Sequence, residues 1–340
     1  MNTYICDISS KKSRVKSVNG ANAAFIILTT AFCVYLLLHP HISPASVRES
    51  LTFCATTLIP SLFPMMVAGE ILILSGFGDI CAKSVGRAFS RIFGVHGEGA
   101  AAFALGCVCG YPVGGKTALS LYGDGKLDRD ECEFLCALSN NAGPGFVVAG
   151  IGAAIWGNTG FGAALYLTEL ISAFIAGILL RPLFIKPTVL PHKAGSTEQR
   201  KVKARKFSEI FSVSVASGVT SILKVCGFVV IFEILLTGFF SMLPDFPGKQ
   251  LFTVVASSIA EITSGAASSG NYALSGTNTA VIFGKLMTFA LVGWGGLSAH
   301  MQLNAFASEK GMVLKKYYVF KALVAALCVL IGAAYIALSS

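Results

Sequence analysis

The feature that most constrains this chain is a series of apolar stretches long enough to cross a bilayer, with other apolar stretches broken midway by glycine, proline and asparagine. The unbroken ones lie near Ala21–Leu38, Leu51–Leu74, Gly160–Leu180, Gly218–Phe239 and Phe320–Leu338. As helices they match a hydrocarbon core about 30 Å thick. Of 340 residues 54% are hydrophobic and 13% charged, too little polar surface to enclose a water-soluble core. The expected fold is therefore all-α and polytopic, with about seven to eight membrane segments, some broken or re-entrant. Whether Gly99–Gly115 and Asn140–Trp156 cross or re-enter stays open at this stage.

A net charge of +9 raises nucleic acid as a partner. The basic residues instead sit in short loops beside apolar segments, so the expectation is a lipid bilayer and no nucleic acid. Lys and Arg are retained on the cytoplasmic side during insertion. On that rule the inside is marked by Lys11, Lys12, Arg14 and Lys16, by Lys83, Arg87 and Arg91, by the tract Arg181–Lys206, and by Lys310, Lys315, Lys316 and Lys321. The N-terminal run precedes an apolar stretch ending in Leu38-His39-Pro40 without a small-residue cleavage pattern, which reads as an uncleaved first span. Pro40–Ser50, the acidic Asp124–Glu133 and Pro244–Gln250 read as external.

Ten cysteines do not make a disulfide framework here, because most, such as Cys33, Cys54, Cys226 and Cys328, lie inside apolar stretches as small hydrophobes. Cys107, Cys109 and the Cys132/Cys136 pair, spaced i and i+4, could hold a soft metal only if a His or carboxylate cluster completed the site, and none is read as doing so; no metal and no cofactor is expected.

The two halves echo each other. Gly69-Glu70-Ile71-Leu72-Ile73-Leu74-Ser75-Gly76-Phe77 returns, one residue shorter, as Phe232-Glu233-Ile234-Leu235-Leu236-Thr237-Gly238-Phe239. A break follows in each half, at Cys109–Gly115 and at Glu261–Gly265, then a second at Ser139–Gly145 and at Trp294–His300, then a closing apolar span. The loop charges give the two units opposite orientation, the inverted repeat of many secondary transporters. The expected layout is a cytoplasmic segment 1–20, a first span and external loop 21–48, repeat 1 over 49–182, a basic linker 183–210 and repeat 2 over 211–340. Pro60 and Pro64 should kink the second span.

Backbone groups freed by such breaks survive only where they line a wet or protein-buried cavity, so a central site is expected at the repeat interface. Its candidate substrate-binding residues are Gly110, Tyr111, Pro112, Asn140, Asn141, Gly143 and Pro144 from the first half. The second half supplies Glu261, Thr263, Ser264, Trp294, Ser298, His300 and Gln302. Asn140, Asn141 and His300 suit either a polar solute or hydrogen bonds between helices. Glu70, Glu169, Glu233, Lys224 and Lys285 also lie in or near apolar segments, where a charge faces a cavity or a partner. Gly110-Tyr111-Pro112-Val113-Gly114-Gly115-Lys116-Thr117 matches the phosphate-loop pattern letter for letter, but an Ala-rich membrane segment precedes it and no α/β alternation surrounds it, so a break between half-helices is the better account. With no nucleophile, base and metal set, no enzymatic activity is expected.

Leu58–Pro64, Cys109–Gly114, Asn140–Pro144 and Gly295–Gln302 together resemble the YlbJ-type sporulation integral membrane proteins, over about residue 21 to the C-terminus. These carry the nucleoside-recognition, or gate, domain shared with concentrative nucleoside transporters and with the membrane part of ferrous-iron transporters. The resemblance implies a role in forming the spore envelope, particularly the cortex, in the mother-cell or forespore membrane. The function expected is a secondary-transporter-like or channel-like protein for a small polar solute or ion. The alternative is a non-transporting scaffold that recruits spore envelope proteins through its basic linker. A homo-oligomer is a further expected partner.

Overall fold

The computed structural model of the chain describes residues 20–40, 42–185 and 206–339. The basic run before residue 17 and most of the linker, residues 186–205, lie outside the described residues. Two compact units are present, one ending at Ala45 and one running from Ser46 to the C-terminus. The first contains helix α1 (Gly20–Leu38).

Every regular element among the second unit's described residues is a helix. Helix α2 (Ile42–Phe53) passes through a π-helical turn, Cys54–Leu58, into α3 (Ile59–Leu74). The wide turn lies just before Pro60 and Pro64, whose missing N–H groups would otherwise interrupt an α-helix. Two short helices follow, α4 (Phe77–Ser84) and α5 (Gly86–Phe93), then α6 (Gly99–Cys109), α7 (Val113–Gly123) and α8 (Arg129–Ser139). A π-helical segment, Gly145–Ile155, leads into α9 (Thr159–Phe184). After the linker come α10 (Phe207–Met242), α11 (Lys249–Ala260), α12 (Ile262–Ala273), α13 (Asn278–Trp294), α14 (Gly296–Glu309) and α15 (Tyr317–Ser339).

Five described helical runs are long and apolar enough to span a bilayer: Ser46–Leu74, Thr159–Phe184, Phe207–Met242, Asn278–Glu309 and Tyr317–Ser339. Four coincide with stretches expected from sequence. Asn278–Glu309 is the addition, split at Gly295, and α1 carries the apolar run Thr29–Leu38. Burial is inverted relative to a soluble protein. Leu179, Leu223 and Leu330 are exposed, while Asn141, Glu169, Glu261 and Lys321 are buried. That pattern fits a chain whose outer solvent is lipid.

The Gly99–Gly123 region folds back on itself. A Cβ on Gly114 would sit 2.6 Å from the Gly106 Cα, four residues to the other side of Gly110, so α6 and α7 form a hairpin. Both glycines press on the Ser139 carbonyl, where an added Cβ would come within 2.0 Å of the oxygen. Likewise Gly265 packs on the Ser258 Cα, which folds α12 back on α11. Small residues make both close approaches sterically feasible.

The return of the first hairpin corrects one sequence expectation, and the burial of Lys321 corrects a second. The loop charges alone place Asp124–Glu133 on the face opposite Lys83–Arg91 and Lys310–Lys316, but in the structure it joins them. Lys126 pairs with Asp79 at 2.8 Å, Lys316 with Asp130 at 3.3 Å, and His96 with Glu131 at 2.8 Å. Arg181 at the end of α9 reaches the Ile92 carbonyl at this same face. Acidic side chains here neutralise the basic loops instead of marking the far side. Lys321, expected in a loop, is 2% exposed within α15.

Candidate functional site

In each half a hairpin tip rests on the break of the helix that follows. Gly110, with φ +75°, begins the first tip, and a Cβ there would lie 2.4 Å from the Gly143 nitrogen. Only glycine fits both that backbone conformation and that contact. Tyr111 and Pro112 complete the tip, joined by a cis peptide. Gly143 belongs to the break between α8 and Gly145–Ile155, and Pro144 caps the latter. In the second half Glu261 forms the tip between α11 and α12. The break is Gly295-Gly296 at φ +88° and +81°, and a Cβ on Gly296 would lie 2.9 Å from the Ile262 nitrogen.

Between the tips is a narrow cavity of about 20 Å³, on the scale of a bound water. Its polar lining is Tyr111, Glu261, Thr263, Ser298 and Gln302, against an apolar wall that includes Leu62, Phe146 and Val225. Gln302 donates to the Ser298 hydroxyl at 3.3 Å, leaving its own carbonyl oxygen buried without a partner, as is the Tyr111 hydroxyl. Glu261 accepts from the Ser264 backbone at 2.8 Å, and the Ser264 hydroxyl contacts the carboxylates of both Glu261 and Glu233. A hydroxyl has one proton, so it donates to one of these carboxylates at a time.

The other predicted residues lie around this cavity and do not line it. Asn140 donates to the Tyr317 hydroxyl at 2.9 Å, and His300 Nδ1 lies 2.8 Å from the same oxygen. Trp294 donates to the Ile259 carbonyl at 3.0 Å and stands edge-on to His300, bracing the second tip. Asn141 is turned away, donating to the Leu138 carbonyl and accepting from Lys321 at 3.1 Å. Sequence reasoning misses Lys321 and Tyr317 as partners of these asparagines. Their signal is a lysine and two tyrosines immediately before or within the last apolar run, a segment that its charge alone assigns to a loop.

A second cavity, of about 260 Å³, adjoins the first. Leu62, Val225 and Gln302 line the small one, and Met66, Ser221 and Phe306, one turn along the same three helices, line the large one. The first tip turns Tyr111 to the small cavity and Pro112, with Val113 at the start of α7, to the large one. Glu309 and Lys310 at its mouth belong to the face that gathers the basic loops. Lys116 crosses its wall, donating to Glu70 at 3.0 Å and Ser217 at 2.5 Å. Lys116 thus ties the hairpin to α3 and α10. Among the described residues no group of three His, Cys, Asp or Glu is placed to hold a metal ion.

No family model matches the chain, and no solved structure matches it. It is 25% identical over 333 residues to the sporulation integral membrane protein YlbJ of Bacillus subtilis (strain 168), a match covering 88% of this chain and 78% of that protein. The resemblance to the YlbJ type is thereby shown. So little of this chain is left uncovered that neither half can lie outside the match. Together with the apolar spans, the similarity makes this chain an integral membrane protein.

Proposed function

We propose that this is a non-enzymatic, secondary-transporter-like or channel-like protein of the sporulation type, acting on a small polar solute during spore cortex formation. One observation carries the reading: two hairpin tips, each seated on a helix break, close on a narrow, mainly apolar cavity in which Tyr111 and Gln302 hold unmade hydrogen bonds. Such groups are costly to bury unless something polar arrives to meet them. Exposure would alternate by movement of the Tyr111-Pro112 tip, which separates the narrow cavity from the larger vestibule. The matched order of hairpin and broken helix in residues 49–182 and 211–340 supports a duplicated, gate-type unit in inverted orientation. In this reading α1, Ser46–Leu74, Arg129–Ile155, α9, α10, Asn278–Glu309 and α15 cross the bilayer and the two hairpins re-enter it. The face carrying Lys83, Arg181 and Lys316 is then cytoplasmic.

The test is complementation in an endospore-forming host that carries this chain as its sole copy. Tyr111→Phe, Gln302→Leu and Glu261→Gln should each lower the yield of heat-resistant spores at normal membrane abundance, while lipid-facing Leu330→Ala should not. Wild-type sporulation by all three cavity variants, combined with failure on charge reversal across Arg200–Lys206, would establish the scaffold instead.

A further inference from the structure

The helix break at Asn140–Pro144 is held from behind by two buried charges that the cavity does not use. Glu169, midway along α9 and 1% exposed, accepts from the Ala142 backbone N–H at 2.8 Å through one carboxylate oxygen. Its other oxygen, Oε2, is buried without a partner. Lys321, from α15, donates to the Asn141 side-chain oxygen at 3.1 Å. The two charges therefore grip adjacent residues of the same unwound segment from two different helices.

We propose that Glu169, paired with Lys321 across Asn141-Ala142, is a proton-binding site that couples protonation to the position of the broken helix. It rests on the transport reading only for its consequence; proton binding itself needs no solute. A buried, half-satisfied carboxylate inside a membrane protein is an expensive feature to keep without a use.

The chemistry is a simple proton addition. A proton from hydronium in the surrounding solvent adds to the free Glu169 Oε2, releasing water and giving a neutral carboxylic acid, while Lys321 keeps its ammonium charge. The pair passes from net zero to net positive beside the break. The Ala142 N–H exchanges an anionic acceptor for a neutral one, which is a weaker bond. The groups within electrostatic reach of Glu169 are Lys321 and Cys328 on α15, Cys107 on α6, Tyr111 at the hairpin tip and Tyr166 on its own helix. Lys321 is the cation among them; the others are thiols and phenols. Motion of the segment has a direct route to the cavity, because Gly143 packs on Gly110 and the Cys109 carbonyl, next to Tyr111.

The experiment uses the full chain in lipid nanodiscs, with no added solute. Infrared difference spectra between acid and alkaline pH should contain a carboxylic-acid band that disappears in Glu169→Gln and survives in Glu261→Gln. Hydrogen–deuterium exchange, corrected for the intrinsic pH effect, should report pH-dependent protection of residues 139–146 in the wild type. That dependence should be lost in Glu169→Gln, and Lys321→Met should displace its midpoint. A band and an exchange profile both unchanged in Glu169→Gln would overturn the proposal. If that variant does not accumulate, Glu169→Asp retains a carboxyl in a new position and must shift the band; an unshifted band overturns it equally. A protein that meets these expectations while moving no solute would refute transport and leave the proton site standing.

Discussion

At the residue scale, the same substitution is expected to have opposite outcomes at different glycines. An added Cβ on Gly106 or Gly114 would come within 2.0 Å of the Ser139 carbonyl oxygen, a backbone atom that cannot step aside. Gly106→Ala and Gly114→Ala should each cost about 2 kcal/mol or more, read as a lower unfolding temperature in detergent. Gly227, within α10, faces open space, and Gly227→Ala should be neutral or stabilising by up to about 1 kcal/mol. His96 gives a pH prediction. The hydrogen bond to the Glu131 carboxylate raises its pKa above the ordinary histidine value, against an opposing effect of burial. A raised folded value means the contribution is complete below about pH 6.5 and is lost as the pH rises through the folded value. Unfolding temperature should therefore fall from mildly acid to alkaline pH, by the equivalent of about 1 kcal/mol, and His96→Gln should flatten that slope.

Among elements, the first hairpin is held by a polar tether as well as by close packing. Lys116 and Glu70 are each about a quarter exposed, so their attraction is only partly screened. Removing either leaves a half-buried charge facing the vestibule. Lys116→Ala and Glu70→Ala should each destabilise, and the double variant should cost less than their sum by about 1 kcal/mol. Strict additivity in that cycle would mean the tether contributes nothing. The aromatic contacts of Phe134 with Phe93, Phe184 and Phe320 join α8 to α5, α9 and α15 at the end of the molecule where the charged loops gather.

For the whole molecule, sidedness is the main expectation. Single cysteines at Asp124 and Lys315, in a background without the native thiols, should react with an impermeant maleimide from one side of the membrane. Cysteines at Asn158 and Leu274 should react from the other. Labelling of Asp124 from the opposite side to Lys315 would contradict the ion pairs that join these loops.

Membrane embedding, the all-helical class, the order of the breaks and the residues at both tips are legible in the sequence. Bilayer crossing is set by local hydropathy, and a glycine or proline break is set by local stereochemistry. Tyr111, Glu261, Thr263, Ser298 and Gln302 all follow from such breaks, and they meet at one cavity. The direction in which the chain leaves a break is not local information. A hairpin and a kinked span have similar composition, and only the contact of Gly106 with Gly114, or of Gly265 with Ser258, separates them. That choice moves Asp124–Glu133 to the other face. It also turns Asn141 from the cavity to Lys321, because long-range packing of α9 and α15 decides which buried polar groups find one another.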